Sequence, residues 1–426
     1  MANYTLSGFN RNGNTFTYAG GGGGGGEGYH TDAYGDYSHA EGYYTCAYGT
    51  SSHAEGDSVV SFDNMNEEVH NPNLASGIGS HAEGCGTTAY GLGSHAEGLY
   101  AIQTAISCSS STVTPYFNIA EGAGSHAEGY GTCASGDGSH AEGEHVNTVA
   151  TASDGTITTT PCFNTAYGAG SHAEGCGTSA IGMGSHAEGF APTAIVTGMS
   201  SGTSLTESYP NIAVGDGSHA EGIGTYAEGD ASHAEGIGIE YSEGAGIKLN
   251  HAYGKGSHTE GYNTCAYGDG SHAEGYGCEY DTLSFEYIRK DIIATGTGSH
   301  AEGIGTTANG DYSHAEGYEN IAEGKGSHAE GGNNIAQGFY SHVEGKDTVT
   351  ESNYSHAAGL GTIAASPIQT AIGKYNIRDA NRDYAFIIGN GSNDENRANL
   401  FAIKWDGTIE VNGTPIVITY QQNNNS

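Results

Sequence analysis

The sequence predicts an all-β fold, a parallel β-roll of 14-residue coils interrupted by inserted β-hairpins. The pentapeptide Ser-His-Ala-Glu-Gly, or a near variant, occurs 17 times between Ser38 and Gly359, and ten of the 16 gaps between copies measure 14 residues. A second segment of the form Thr-x-Ala-x-Gly follows within each unit, as in residues 87–91. So short and strict a period is typical of a solenoid, in which every coil stacks on its neighbours.

The residue types within the repeat predict which side chains face inward. Because strand side chains alternate between faces, Ser, Ala and Gly of the pentapeptide point one way and His and Glu the other. A coil of this length encloses very little volume, so the small residues of both segments must face each other. The Ala-Tyr-Gly tyrosines, such as Tyr34 and Tyr90, then point outward, where they pack over the roll or stack on sugars.

Composition narrows the possible partners and compartments. The 49 acidic and 12 basic residues give a net charge of −37, which disfavours binding to the phosphate backbone of nucleic acids. No apolar run approaches the roughly 20 residues that a membrane helix needs. The first residues do not resemble a signal peptide, so we expect synthesis in a cytoplasm even if the protein works outside.

Eight cysteines occur without a Cys-x-x-Cys motif, and several occupy repeat positions held elsewhere by Thr, Ser, Tyr or Ile. This pattern favours free thiols over a zinc knuckle.

Six gaps are longer than 14 residues and carry insertions on every second coil. Residues 148–160 alternate around Asp154-Gly155, a hairpin signature, and residues 194–206 read similarly. We expect all six insertions to leave the same edge of the roll and to stack edge to edge as a second sheet. Variable loops on a rigid scaffold commonly carry recognition, so we select aromatic residues of the insertions as candidate receptor-binding residues. They are Tyr116, Phe117, Phe163, Tyr209, Phe285 and Tyr287.

The two ends differ from the repeat region. We expect residues 1–28, with glycines at 20–26, to be an attachment segment and linker, residues 29–373 to form the roll, and residues 374–426 to form a β-rich trimerisation or tip segment. The segments 384–389 and 400–405 are strand-like. Asp406-Gly407 predicts a hairpin turn into residues 408–411.

Residues 29–373 resemble the repeats in the head domains of YadA-type trimeric autotransporter adhesins, because the 14-residue period and the small-residue parity both match. The resemblance implies a left-handed parallel β-roll that forms a homotrimer. In those heads the variable positions of Ser-x-Ala-x-Gly are aliphatic and face the threefold axis, whereas here they hold His and Glu. Residues 385–407 resemble the segment that precedes the self-cleaving intramolecular chaperone of bacteriophage tail fibres and spikes.

The His/Glu positions therefore become the candidate axis-facing residues. We interpret them as a structural ladder in which each His donates to a Glu of its own or a neighbouring chain. Three imidazoles per layer could also ligate metal, which leaves isolated axial ions at His314, His328 and His342 as the alternative. We otherwise predict neither a metal nor another cofactor. The ladder comprises His81, Glu83, His95, Glu97, His126, Glu128, His140, Glu142, His172, Glu174, His186 and Glu188.

These features predict a structural fibre protein without catalytic residues. The favoured function is a phage or phage-like tail fibre or receptor-binding protein of the virion tail, joined through its N-terminus to a tail partner and presenting a surface for a host receptor or glycan. The alternative is a subunit of a bacterial extracellular filament or surface adhesin. A polysaccharide-degrading tailspike is less favoured, because that chemistry needs a singular carboxylate pair in a groove and the carboxylates here recur monotonously.

Overall fold

The structure, a computed structural model, contains strands and turns and no helix in the part of the chain that it describes. That part comprises residues 25–62, 68–99, 101–106, 111–116, 118–144, 146–151, 157–191, 193–197, 204–208, 210–238, 250–281 and 286–417. The chain divides into two compact units, residues 1–249 and 250–426.

The first unit is a parallel β-roll with two sheets. One sheet, here called the His/Glu sheet, collects the pentapeptide strands, and each strand pairs in register with the next, as His81↔His95 and Glu83↔Glu97. Its strands are Gly25–Tyr29, His39–Tyr43, His53–Asp57, His81–Cys85, His95–Leu99, His126–Tyr130, His140–Glu144, His172–Cys176, His186–Phe190, His219–Ile223 and His233–Ile237. The first strand takes in Gly25 and Gly26, so the sheet begins inside the glycine run.

The second sheet of this unit, here called the threonine sheet, collects the shorter second segments. Its strands are Asp32–Ala33, Thr45–Ala47, Asn73–Ala75, Thr88–Ala89, Ile119–Ala120, Thr132–Ala134, Asn164–Ala166, Ser179–Ala180, Ile212–Ala213 and Thr225–Ala227. The two sheets meet through small side chains: Ala82 and Ala89 are fully buried, and so is Thr87. The predicted parity is confirmed, because inward and outward residues alternate as the strand period requires.

Two features of the repeat make this thin coil possible. The Ser80 hydroxyl donates to the carbonyl oxygen of Gly77 at 2.8 Å, and the backbone N–H of Ser80 bonds the same oxygen, closing the turn before the pentapeptide strand. Gly98, the last residue of its pentapeptide, has φ +115°, and a Cβ there would lie 2.2 Å from the carbonyl oxygen of Gly129 in the next coil. Only glycine fits at that position.

Four hairpins of the first unit leave the roll at the same corner, between a pentapeptide strand and the following threonine-sheet strand. They are Val59–Phe62 with Glu68–Asn71, Ala101–Ile106 with Ser111–Tyr116, Val146–Thr151 with Ile157–Cys162, and Thr193–Thr197 with Ser204–Ser208. The common exit is as predicted for these four, and the insertion at 239–249 lies outside the described residues.

The prediction that all the insertions pair edge to edge into one continuous sheet is mostly wrong. Among the described residues only the third and fourth hairpins join, through Ala150↔Leu205 and Thr151↔Ser204, into a four-stranded antiparallel sheet. The other hairpins form two-stranded sheets.

The second unit repeats the same two-sheet roll. Its His/Glu sheet contains His258–Tyr262, His272–Tyr276, His300–Ile304, His314–Tyr318, His328–Gly332, His342–Lys346, His356–Leu360 and Thr370–Lys374. Its threonine sheet contains Asn250–Ala252, Thr264–Ala266, Ile292–Ala294, Thr307–Ala308, Ile321–Ala322, Ile335–Ala336, Val349–Thr350 and Ile363–Ala364. One hairpin, Cys278–Asp281 with Glu286–Arg289, leaves at the corner used in the first unit.

A β-meander ends the second unit. Tyr384–Asn390 pairs parallel with the last coil strand, and Asn399–Lys404, Ile409–Val411 and Thr414–Pro415 follow antiparallel. The predicted strands and the turn at Asp406-Gly407 are confirmed. Beneath the meander Asp379 accepts hydrogen bonds from Ser366 Oγ at 2.7 Å and Gln369 Nε2 at 3.0 Å.

Candidate functional site

The histidines of the His/Glu sheet form a column of stacked imidazole rings within each unit. In the first unit, His81 and His95 lie with ring centroids 4.7 Å apart and an interplanar angle of 1°. In the second, His314 and His328 stack at 4.8 Å and 1°. The spacing is that of neighbouring β-strands, so in-register parallel pairing imposes the stack.

A column of glutamates runs beside the imidazoles, and its contacts alternate from coil to coil. Glu142 Oε1 lies 3.3 Å from Nε2 of His172 in the next coil, and Glu142 Oε2 lies 4.0 Å from Nε2 of His140 in its own coil. Glu55, Glu97, Glu188 and Glu274 are placed in the same way between two histidines. All five belong to coils that carry an insertion. Of these contacts, the one between His172 and Glu142 is a hydrogen bond of the kind that the ladder hypothesis requires, whereas the other flanking Nε2 atoms are not hydrogen-bonded within the described part of the chain.

Several histidines of insertion-carrying coils favour the neutral form, because their pKa values are lowered. Burial lowers the pKa of His140, and the imidazoles of His126 and His172 above and below lower it further. The same causes, burial first and neighbouring imidazoles second, lower the pKa of His95 and His186. The carboxylates act in the opposite direction and do not outweigh these effects. The contacts that His95, His140 and His186 make with the glutamates of their own coils are therefore between a neutral imidazole and a carboxylate.

The three histidines predicted as axial candidates lie in the second unit, where the contact pattern changes. Nε2 of His314 lies 3.5 Å from Oε2 of Glu316 in its own coil, whereas Nε2 of His342 lies 3.4 Å from Oε1 of Glu330 in the preceding coil. His328 stacks between them. A groove of about 450 Å³ follows this column and is lined by Glu302, Glu316, Glu330, Glu344 and the adjacent glycines.

Sequence reasoning missed a set of buried asparagines that tie the coils together. Asn164 is fully buried and donates from Nδ2 to the carbonyl oxygens of Glu142 at 2.6 Å and Gly175 at 2.7 Å. Its Oδ1 accepts from the N–H of Thr178 at 3.0 Å. Asn73, Asn118 and Asn211 make the equivalent three bonds. The signal in the sequence is Asn-x-Ala, which follows five of the six insertions, as at Asn73 and Asn118, and also occurs in the plain coils of Asn320 and Asn334, where other plain coils have Thr-x-Ala.

The predicted receptor-binding residues are only partly within the described structure. Phe117, Tyr209 and Phe285 lie outside the described residues. Tyr116 ends the second strand of its hairpin, and Tyr287 lies in the strand Glu286–Arg289. Phe163 is half-buried at the return to the roll, immediately before Asn164. The five described hairpins leave at one corner of each roll, so the described candidates Tyr116, Phe163 and Tyr287 belong to that corner.

The outward tyrosines of the threonine sheet stack on one another. Tyr34 and Tyr48 lie with ring centroids 4.8 Å apart and an interplanar angle of 3°, and both are at least half exposed. Tyr253 and Tyr267 form a second stack, and burial is the main cause that raises the pKa of Tyr267 to about 12. Because each ring covers a face of its neighbour, these stacks present mainly ring edges. That geometry favours packing over the roll more than sugar stacking.

The described cysteines Cys46, Cys85, Cys133, Cys176, Cys265 and Cys278 are free thiols. Burial raises the pKa of Cys133, so this thiol is a weak nucleophile.

In the part of the chain that the structure describes, there is no helix long and apolar enough to cross a membrane. A comparison with protein-family models finds no match, and neither does a comparison with curated proteins.

Proposed function

We propose that this chain is the subunit of a homotrimeric structural fibre, a phage or phage-like tail fibre that presents a host-binding surface. The observation that carries the proposal is the combination, on one roll, of a flat and uninterrupted His/Glu face with a separate corner from which hairpins of unlike sequence project. The first is suited to association with identical chains, and the second to recognition.

The packing of the roll supports association. Its buried apolar residues are almost all alanines, with Ile292, Val343 and Ile387 as the main larger exceptions. Fully burying a large aliphatic side chain contributes about 1.5–3 kcal/mol, whereas an alanine contributes far less. A roll with such a core gains little to offset the chain entropy lost on folding. Burying the His/Glu face between chains supplies the missing stabilisation, and histidines and carboxylates can pair across that contact.

The hairpins support recognition, because they vary while the coils do not. The pentapeptide strands keep one register through each unit, but the hairpin strands share no motif, as Val59–Phe62 and Cys278–Asp281 illustrate. A rigid repeat that displays unlike loops at regular intervals is suited to contact with a host receptor or glycan. An extracellular filament or surface adhesin subunit is the second candidate, since the same rolls could associate end to end.

Sedimentation analysis of the purified chain tests the association. A trimer at micromolar concentration supports the proposal, and a stable folded monomer overturns it. The function is tested separately by replacing all six insertions with plain coils. Retained trimers with lost binding to host cells support recognition by the hairpins, whereas unchanged binding places it elsewhere on the chain. Co-purification with tail proteins distinguishes a tail fibre from a self-assembled filament.

A further inference from the structure

The contact between histidine and glutamate on insertion-carrying coils creates a recurrent group of three potential ligands. In each group one carboxylate lies between two stacked imidazoles, and the ligand atoms lie within 4.8 Å of one another in His53/Glu55/His81, His95/Glu97/His126 and His140/Glu142/His172. The carboxylates of Glu188 and Glu274 lie at 3.4–4.0 Å from the Nε2 atoms on both sides. We call these five groups the His-Glu-His triads.

Most imidazole Nε2 atoms of the triads lack a hydrogen-bond partner among the described residues, with His172, which is hydrogen-bonded to Glu142, as an exception. The Nε2 atoms of His53, His81, His95, His126 and His140 are shielded from solvent and have no hydrogen bond among the described residues. In two triads, those of Glu55 and Glu97, the carboxylate is 3.5 Å or more from both nitrogens, beyond good hydrogen-bond distance. Leaving a shielded polar atom unsatisfied costs about 1–3 kcal/mol. The recurrence of an unsatisfied Nε2 atom along the histidine column favours a bound ligand that satisfies these nitrogens.

We propose that each His-Glu-His triad binds one divalent transition-metal ion, of the class of Zn²⁺ or Co²⁺, through two Nε2 atoms and one carboxylate. Two imidazoles and a carboxylate are a donor set that these metals use, with further positions left for water or another ligand. Calcium and magnesium are excluded as preferred ions, because they select oxygen ligands. Each triad is complete within one chain, so the inference does not depend on the trimer.

A small movement of side chains suffices to complete the coordination. Bonds of about 2.0–2.1 Å in a tetrahedral site place ligand atoms about 3.3 Å apart. The carboxylate of Glu142 already lies 3.3 Å from Nε2 of His172. To bring both Nε2 atoms within bonding distance of one ion, the two stacked rings must tilt toward each other. Rotation about the side-chain bonds on this outward face of the sheet allows that movement. Coordination through Nε2 uses the tautomer that carries its proton on Nδ1.

Sharing of histidines limits how many triads are filled. A second series, such as His81/Glu83/His95, uses the same imidazoles and cannot be occupied together with the first. The first series is favoured, because its carboxylates contact both flanking histidines whereas those of the second series are not paired in this way. We therefore expect one ion for each of the five triads, on coils that carry an insertion.

Titration of the chelator-treated full chain with Co²⁺, followed by its visible absorption, and with Zn²⁺, followed by calorimetry, tests the proposal. The parent should bind about one ion per triad. One variant replaces Glu55, Glu97, Glu142, Glu188 and Glu274 by Gln, and the matched control replaces Glu83, Glu128, Glu174, Glu221 and Glu302 by Gln. The two variants lose the same charge, so non-specific attraction to an acidic surface affects them equally.

The triad variant should bind metal at least about tenfold more weakly, while the control stays within about threefold of the parent. Equal binding by both variants, or an equal loss in both, overturns the assignment. The single substitution Glu142→Gln provides a check that does not require five simultaneous changes, because it should remove one ion per chain. Strand content by circular dichroism is measured for every variant, and a parent that binds no Co²⁺ at micromolar concentration also overturns the proposal.

Discussion

The side-chain amide of Asn164 donates a hydrogen bond to the carbonyl oxygen of Gly175 at 2.7 Å, and so joins the end of a hairpin to the next coil of the roll. The same nitrogen bonds the carbonyl of Glu142, which precedes the hairpin, at 2.6 Å. Asn334 makes the equivalent bonds, to the carbonyl oxygens of Glu330 and Gly345, in a coil without an insertion. The hairpin between Glu142 and Asn164 therefore leaves the bonds between neighbouring coils unchanged.

The substitution Asn164→Ala should destabilise the roll by about 1–3 kcal/mol, because it leaves buried carbonyl and N–H groups unsatisfied. Asn164→Asp should cost more, since a carboxylate cannot donate to the carbonyls of Glu142 and Gly175. Asn164→Thr is the matched control, because Thr132 and Thr178 hold this position in plain coils, and its effect should be smallest. Urea unfolding measures the order, and an aspartate variant as stable as the threonine variant would contradict it.

Acid should destabilise the fold through the histidine column. The folded pKa values of His95, His140 and His186 are lowered, chiefly by burial. The stability that these groups contribute is therefore present above their unfolded pKa of about 6.5 and is lost as the pH falls through the folded values. The pKa of Glu41 is also lowered, by the hydrogen bond of His39, and its contribution is lost in the same direction.

Melting temperatures measured in chelator from pH 7.5 to 5 should fall steadily below about pH 6.5. Replacing the histidines at 53, 95, 140, 186, 272 and 314 by Gln should reduce this dependence, since their lowered pKa values are its main source. A melting temperature that rises on acidification would instead indicate charged histidines paired with glutamate.

Two glycines of one coil should respond differently to alanine. Gly98→Ala places a Cβ 2.2 Å from the carbonyl oxygen of Gly129 at φ +115°, and should cost about 2–4 kcal/mol. Gly93→Ala meets no atom within 4 Å at φ +62°, and should cost about 1 kcal/mol. Ser51 and Tyr312 already occupy the position of Gly93 in other coils with positive φ. Thermal unfolding compares the two variants, and equal losses would show that the clash is relieved.

Asp379 should hold the C-terminal meander in place. Burial would raise the pKa of this carboxyl, but hydrogen bonds from Ser366, Gln369 and the N–H groups of Tyr384 and Asp383 outweigh that effect and lower it. Asp379→Ala leaves these donors unpaired and should destabilise the meander by about 3 kcal/mol. Limited proteolysis should then release the segment after residue 380 faster. Asp394→Ala, at an exposed carboxylate, is the control and should cleave like the parent.

The amino-acid sequence by itself determined the period, the inward and outward faces and the exit point of the described hairpins. The reason is that these properties depend on spacing alone. Small residues recur at alternate positions of each segment, and an insertion between Glu142 and Asn164 can leave only where the two segments join. Strand parity converts such spacing directly into geometry. The C-terminal hairpin was predictable for the same reason, because Asp406-Gly407 is a local turn signal.

Only the tertiary structure decided what the outward side chains contact. Burial, followed by the imidazoles stacked above and below, lowers the pKa of His140, and the spacing of stacked strands places the carboxylate of Glu142 near histidines of two coils. It also decided that hairpin pairing through Ala150 and Leu205 is a local event, where a continuous sheet was expected. These outcomes depend on distances between side chains of neighbouring coils. A sequence pattern predicts which face of the sheet a residue lies on and the order of the strands, but it does not predict those distances.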